Sequence, residues 1–201
     1  KNARQVHRIK QFIADEVARM RGKVTGPGTL YPGSPDLAGH YAHLKSLGLC
    51  GVKLHPDIQQ FKIDDYRCLK IYEMCERDGM VILMHTGDSR YDYSNPNRLL
   101  PIMQIYTGLT VIAAHLGGWS VWAEADRTLR DLPNLYVDTS SSIPMIPKEQ
   151  AIAMIHHYGV DHVLYGTDYP MWSPQREIDA FFALGLTDAE NRAILCENAQ
   201  R

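Results

Sequence analysis

A parallel α/β architecture is the fold class this sequence predicts, on three observations. Six short apolar runs rich in β-branched residues alternate with amphipathic segments, their starts recur every 25 to 30 residues, and each run is continuous rather than alternating in polarity. Regular βα units imply parallel strands joined by helical crossovers. Continuous apolar runs are what strands covered on both faces require. A (β/α) barrel and an open doubly wound sheet both satisfy the pattern.

The chain opens on a helical segment with Val6, Ile9, Ile13, Val17 and Met20 on one face. Strands are expected over Val24–Leu30, Cys50–His55, Met80–His85, Leu109–Ala114, Asn134–Asp138 and His162–Gly166. After the first strand, Ser34 should cap a helix with Pro35 in its first position. Leu37, Tyr41, Leu44 and Leu47 then recur at helical spacing until Gly48 ends it. Asp64 and Asp65 open the next helix, whose Leu69, Tyr72 and Cys75 share a side, with Gly79 past its end. Further helices are expected over Arg98–Thr107, Ser120–Asp131, Pro147–Tyr158, Gln175–Leu184 and Thr187–Asn198. No repeat or linker divides the chain, so residues 1–201 are expected to form one domain. An eight-stranded barrel typically needs about 250 residues. Six units behind a leading helix therefore predict that the first two strands lie outside this sequence.

With 45% hydrophobic and 22% charged residues, the chain has the composition of a globular domain with one sizeable core. A net charge of -2 with scattered Lys and Arg gives no footprint for nucleic acid or an anionic membrane surface. No apolar run approaches the roughly 20 residues of a membrane span. The cysteines, Cys50, Cys68, Cys75 and Cys196, form no Cys-x-x-Cys pair and are expected to be reduced, which points to the cytoplasm. The expected partner is a small-molecule substrate, and a homodimer is compatible with the sequence.

Chemistry concentrates at the strand ends. Lys53 and His55, then His85, His115 and Asp168, each follow an apolar run, and Asp138 ends another. In a barrel these ends converge on one face, where catalytic residues sit. A single histidine after an apolar run is more often a hydrogen-bonded core residue. Three with a matching aspartate form a pattern that suits zinc or a related divalent ion. Such a metal activates water and polarises a carbonyl, and Asp168 has the chemistry of the accompanying base. His7, His40, His43, His156, His157 and His162 are expected to be solvated. The long polar loop Thr86–Asn97 follows His85, and Arg90, Tyr91, Tyr93 and Arg98 are candidates to recognise a substrate carboxylate there. Gly117-Gly118 lacks the lysine of a phosphate loop and is expected to form a tight turn.

The segments Gly51–Pro56 (GVKLHP), Met84–Gly87 (MHTG), Asp92–Leu99 (DYSNPNRL), Ala113–Gly118 (AAHLGG) and Tyr165–Pro170 (YGTDYP), taken as an ordered set, resemble the amidohydrolase-related family of metal-dependent hydrolases. The resemblance runs from about Val24 to the C-terminus and implies a TIM barrel. It implies metal or catalytic roles for His85, His115 and Asp168, with His115 a neighbour of the metal in one-metal members. It also implies a site role for Lys53. The family's His-x-His pair, at the end of its first strand, occurs nowhere in this sequence. The expected activity is hydrolysis of an ester, lactone or amide in a small carboxylated molecule, with zinc the expected metal. Lys53, His55, Arg90 and Tyr93 would bind the substrate. Non-oxidative decarboxylation is the alternative, and a catalytically degenerate binding module is the third reading.

Overall fold

A computed structural model describes residues 3–200 of the chain. Six parallel strands form one sheet: β1 (Gly28–Thr29), β2 (Gly51–Leu54), β3 (Val81–Met84), β4 (Val111–Ala113), β5 (Leu135–Asp138) and β6 (Val163–Leu164). They lie side by side in chain order. A doubly wound sheet reverses its strand order, whereas a barrel does not, so the topology is that of a (β/α) barrel. Among the described residues no pairing joins β1 to β6, which are the sheet's edges.

Every expected strand is present, and each is shorter than its apolar run. The first contracts most, to two residues, because Gly26 and Pro27 precede it and proline has no N–H for a ladder bond. The helices are α1 (Ala3–Arg19), α2 (Leu37–Ser46), α3 (Pro56–Gln59), α4 (Tyr66–Asp78), α5 (Pro96–Ile105), α6 (Trp122–Leu129), α7 (Lys148–Tyr158), α8 (Pro174–Phe182) and α9 (Asp188–Arg192). Asp36, not Ser34, caps α2: its carboxylate accepts the Gly39 N–H at 3.0 Å. That bond satisfies an orphan donor and adds a charge suited to a helix N-terminus. Asp65 caps α4, and Gly79 ends it in the left-handed conformation. Thr187 and Glu190 form a capping box on α9. The helical run expected to reach Asn198 leaves α geometry at Ala193 for wider and then tighter turns.

One face of the sheet is completely covered. Val52, Ile82, Met84, Val111, Ala113, Val137 and Val163 are inaccessible to solvent and belong to one continuous core with Ile71, Tyr72, Met154 and Ile155 from the helices. The other face departs from the expected double coverage. Lys53, Leu83, Ile112 and Tyr136 align across β2 to β5 and are only half-buried. That face is the concave side on which the strand ends open.

All four cysteines are free; Cys68 and Cys75 share the buried face of α4, and Cys50 and Cys196 are exposed. Burial pushes both buried thiols up to about 12, since a thiolate in apolar surroundings loses its hydration. A thiol reagent at pH 8 should therefore label two cysteines rapidly and the other two only in denaturant. Rapid labelling of all four would contradict this packing. His156 and His157 are exposed, as expected, beside Glu190 and Asp126. His43 is half-buried instead: it stacks on His7 at 4.4 Å next to the buried Lys10. Among the described residues no helix is long and apolar enough to cross a membrane.

Candidate active site

The register of the sheet brings the functional side chains together. Leu54 pairs with Met84, and Met84 with Ala113. Residues 55, 85 and 115 therefore leave neighbouring strands at nearly one level. His115 and Asp168 then adopt left-handed backbone, with φ of 63° and 56°. For residues with a Cβ such conformations cost energy and persist where the surroundings impose them, commonly at functional sites. Here they turn the chain just past β4 and β6. The turn after His115 is tight, as expected. A Cβ on Gly87 would lie 2.3 Å from the Trp119 backbone nitrogen, so only glycine permits the two loops to touch.

His85 is the centre of the cluster. Its ring stacks on that of His55 with centroids 3.9 Å apart. Its Nδ1 lies 3.0 Å from Nε2 of His115. Its Nε2 is buried without a hydrogen bond, 3.3 Å from Oδ2 of Asp57. Asp57 was not a candidate from the sequence. His55 caps α3 and Pro56 opens it, which turns the next residue back toward β3. The closeness of Asp57 to the strand-end His55 in "HPD" is the only signal the sequence offers. The Ser94 hydroxyl donates to Asp57 Oδ2, tying the loop that follows His85 to the site.

His115 is buried behind His85 with both ring nitrogens engaged: Nε2 by His85, Nδ1 by the carbonyl and hydroxyl of Ser140 at 3.1 and 2.9 Å. Its contact with the cluster is thus through His85. Asp168 is exposed and accepts the Ser141 hydroxyl at 2.8 Å, and Trp172 Nε1 donates to the same hydroxyl oxygen. Lys53 sits between these groups. Burial lowers its pKa, and the carboxylates of Asp138 and Asp168 oppose that shift. Burial and the neighbouring His85 and Lys53 push His55 down to about 3, which keeps it neutral at ordinary pH. Burial likewise lowers the pKa of His115, with Asp138 opposing.

The loop candidates lie elsewhere on the rim. Arg90 makes a forked pair with Asp88, at 2.9 and 2.7 Å, and lies 5.5 Å from the rings of Tyr91 and Trp119. Its charge is thus already matched. Arg98 is held by Asp64 and Asp92. Tyr93 is half-buried, and its carbonyl accepts the Ile63 N–H at 3.0 Å. Beside Lys53 and His55 a cleft of about 740 Å³ opens, walled by Val6, Ile9, Phe12 and Ile58.

His55, Asp57 and His85 each offer a ligand atom, and these atoms lie within 4.8 Å of one another. Two imidazoles and a carboxylate are a donor set for a divalent ion. The free, buried Nε2 of His85 and the similarly unpartnered Oδ1 of Asp57 are what such an ion would satisfy. His55 would give up its long 3.4 Å bond from the Ile58 N–H. The three residues fit a metal; Asp168 and His115, expected as further ligands, lie outside this triad.

The profile of a family described as Amidohydrolase matches residues 3–201. Among solved structures, an uncharacterized TIM-barrel protein from Bordetella bronchiseptica is 24% identical with a TM-score of 0.87, over 96% of this chain and 70% of its own. A dihydroxybenzoic acid decarboxylase from a Polaromonas species, solved with bound manganese and the inhibitor 2-nitroresorcinol, is 18% identical with a TM-score of 0.75, over 97% of this chain and 73% of its own. A proposed 2-pyrone-4,6-dicarboxylic acid hydrolase from Pseudomonas putida is 19% identical with a TM-score of 0.72, over 95% and 76%. These likenesses show the TIM-barrel fold. No curated protein matches the chain significantly.

Proposed function

The chain belongs to the amidohydrolase family, and from that premise we propose that it is a divalent-metal-dependent hydrolase of a carboxyl ester, lactone or amide in a small carboxylated molecule. The observation that carries this reading is the bare Nε2 of His85, buried beside Asp57 and His55 at the mouth of the sheet. When bound there, a divalent ion, for which we choose zinc, would bring the pKa of a coordinated water toward about 7 and polarise the scissile carbonyl. Its holders would be His85, Asp57 and His55. The Lys53 amine borders the apolar cleft and would pair with the substrate carboxylate while Ile9, Phe12 and Ile58 cover the apolar body. Asp168, exposed on the rim and oriented by Ser141, would take the proton of the attacking water and return it to the leaving oxygen or nitrogen. His115 holds the His85 ring in place.

The test is a panel of small carboxylated lactones, esters and amides turned over in 18O-labelled water. One 18O atom in the new carboxylate is expected. A second reading, decarboxylation of a carboxylated ring, is favoured by the likeness to a dihydroxybenzoic acid decarboxylase. It predicts released carbon dioxide, a solvent deuteron on the vacated carbon and no label from water. No turnover of that panel or of a set of carboxylated rings by the metal-loaded chain would overturn both and favour a binding module.

A further inference from the structure

We infer that Asp138 and Ser140, working through His115, set the tautomer of His85 and thereby present its Nε2 lone pair to the mouth of the sheet. The inference rests on the reading of His85 as a metal ligand, and it identifies two positioning residues for that site.

The hydrogen bonds on the Ser140 side set one direction, and the Asp57 carboxylate, 3.3 Å from His85 Nε2, is the group that opposes it. The Ser140 carbonyl, 3.1 Å from His115 Nδ1, can only accept, so Nδ1 carries the proton. The Ser140 hydroxyl agrees with this. It donates to Asp138 Oδ1, a carboxylate that can only accept, and so offers its lone pair to the same Nδ1 at 2.9 Å. Neutral His115 with a proton on Nδ1 has a bare Nε2. That atom lies 3.0 Å from His85 Nδ1, which must therefore be the donor. Neutral His85 with a proton on Nδ1 has a bare Nε2, the buried atom for which the structure provides no hydrogen bond. Asp138 is itself fixed, since its Oδ1 also accepts the N–H of His115 at 3.1 Å and of Ser140 at 3.0 Å. A chain of four side chains thus runs from β5 across β4 to β3, with each bond fixing the direction of the next. A histidine ligand commonly has its second nitrogen fixed in this way by an outer acceptor. Here the acceptor is another imidazole, and its own direction is set by a serine and an aspartate.

One proton occupies the His85–His115 contact, so the two rings must switch tautomer together. Two-bond 1H–15N correlation spectra of the metal-free, 15N-histidine-labelled chain read this directly. Protons on Nδ1 of both His85 and His115 are expected; a proton on Nε2 of either ring as the main form would overturn the inference. Asp138→Ala frees the Ser140 hydroxyl to donate into His115 Nδ1. The Nε2-protonated forms of both rings should then grow together, by about fivefold, the worth of one hydrogen bond. Zinc affinity, measured by competition with a chromophoric chelator, should fall about 10- to 100-fold. Asp138→Asn keeps an acceptor oxygen and should restore both tautomers. Unchanged tautomers and zinc affinity in a folded Asp138→Ala chain would overturn the role of Asp138 and Ser140. If that variant does not fold, the wild-type spectra and the Asn variant carry the test, and a switched tautomer in the Asn variant would overturn it. His85→Ala separates the two readings. If it binds zinc as tightly as wild type, the metal reading fails, while the tautomer spectra still stand or fall alone.

Discussion

The His85→Ala substitution is expected to slow turnover by about 10³-fold while leaving the fold intact. His85 belongs to the polar cluster at the strand ends and not to the apolar core, so the helices and sheet do not depend on its side chain. What disappears is the centre of the triad, the ring that contacts Asp57, His55 and His115. Two remaining donors hold a divalent ion poorly. Lewis-acid assistance is worth several kcal/mol, and a loss of about 4 kcal/mol corresponds to roughly a thousandfold in rate. Initial rates on the substrate identified by the 18O panel check this, with far-UV circular dichroism as the control. A rate within threefold of wild type would remove His85 from the chemistry.

The Asp168→Asn substitution should lower turnover by about 10²- to 10⁴-fold, the usual worth of general acid–base catalysis. Asparagine keeps the size and an oxygen that can accept the Ser141 hydroxyl, so the bond from Ser141 and the turn around residue 168 survive. Only basicity and charge are lost. Metal content should be nearly unchanged because the triad lies just past β2 and β3 and on α3. The charge of Asp168 also opposes the burial effect on Lys53, so in the Asn variant the Lys53 ammonium loses a stabilising neighbour and its pKa should fall further. Substrate affinity should therefore be lost at a lower pH in this variant than in the wild type. Near-normal turnover would reduce Asp168 to a structural residue of its turn.

Much of this architecture was legible because two periodicities, the βα repeat and the helical apolar face, repeat over long stretches. The strands of residues 51–54, 81–84 and 135–138 fall inside their apolar runs for that reason. The two-residue β1 does not announce its length, because Pro27 acts through a missing ladder donor rather than through hydrophobicity. The strand-end histidines were readable as a group because a parallel sheet delivers every strand end to one side. Asp57 was not, since it depends on a four-residue helix too short for any periodic signal. Nor was the engagement of both His115 nitrogens, which depends on Ser140, 25 residues further on in the turn after β5. The loop arginines show the complementary limit. Arg90 and Asp88 are two residues apart, and whether they pair with each other or reach for a substrate is decided by backbone direction, which composition does not reveal.

The most direct measurement of the central claim is equilibrium dialysis of the metal-stripped chain against zinc, with wild type and Asp57→Ala compared. X-ray absorption on the loaded wild type would identify the ligands. One ion per chain is expected, bound by imidazole nitrogen and carboxylate oxygen without sulfur, and Asp57→Ala should lose most of it. Failure of the wild type to hold an ion, or equal binding by the two chains, would contradict a metal centre built on His55, Asp57 and His85.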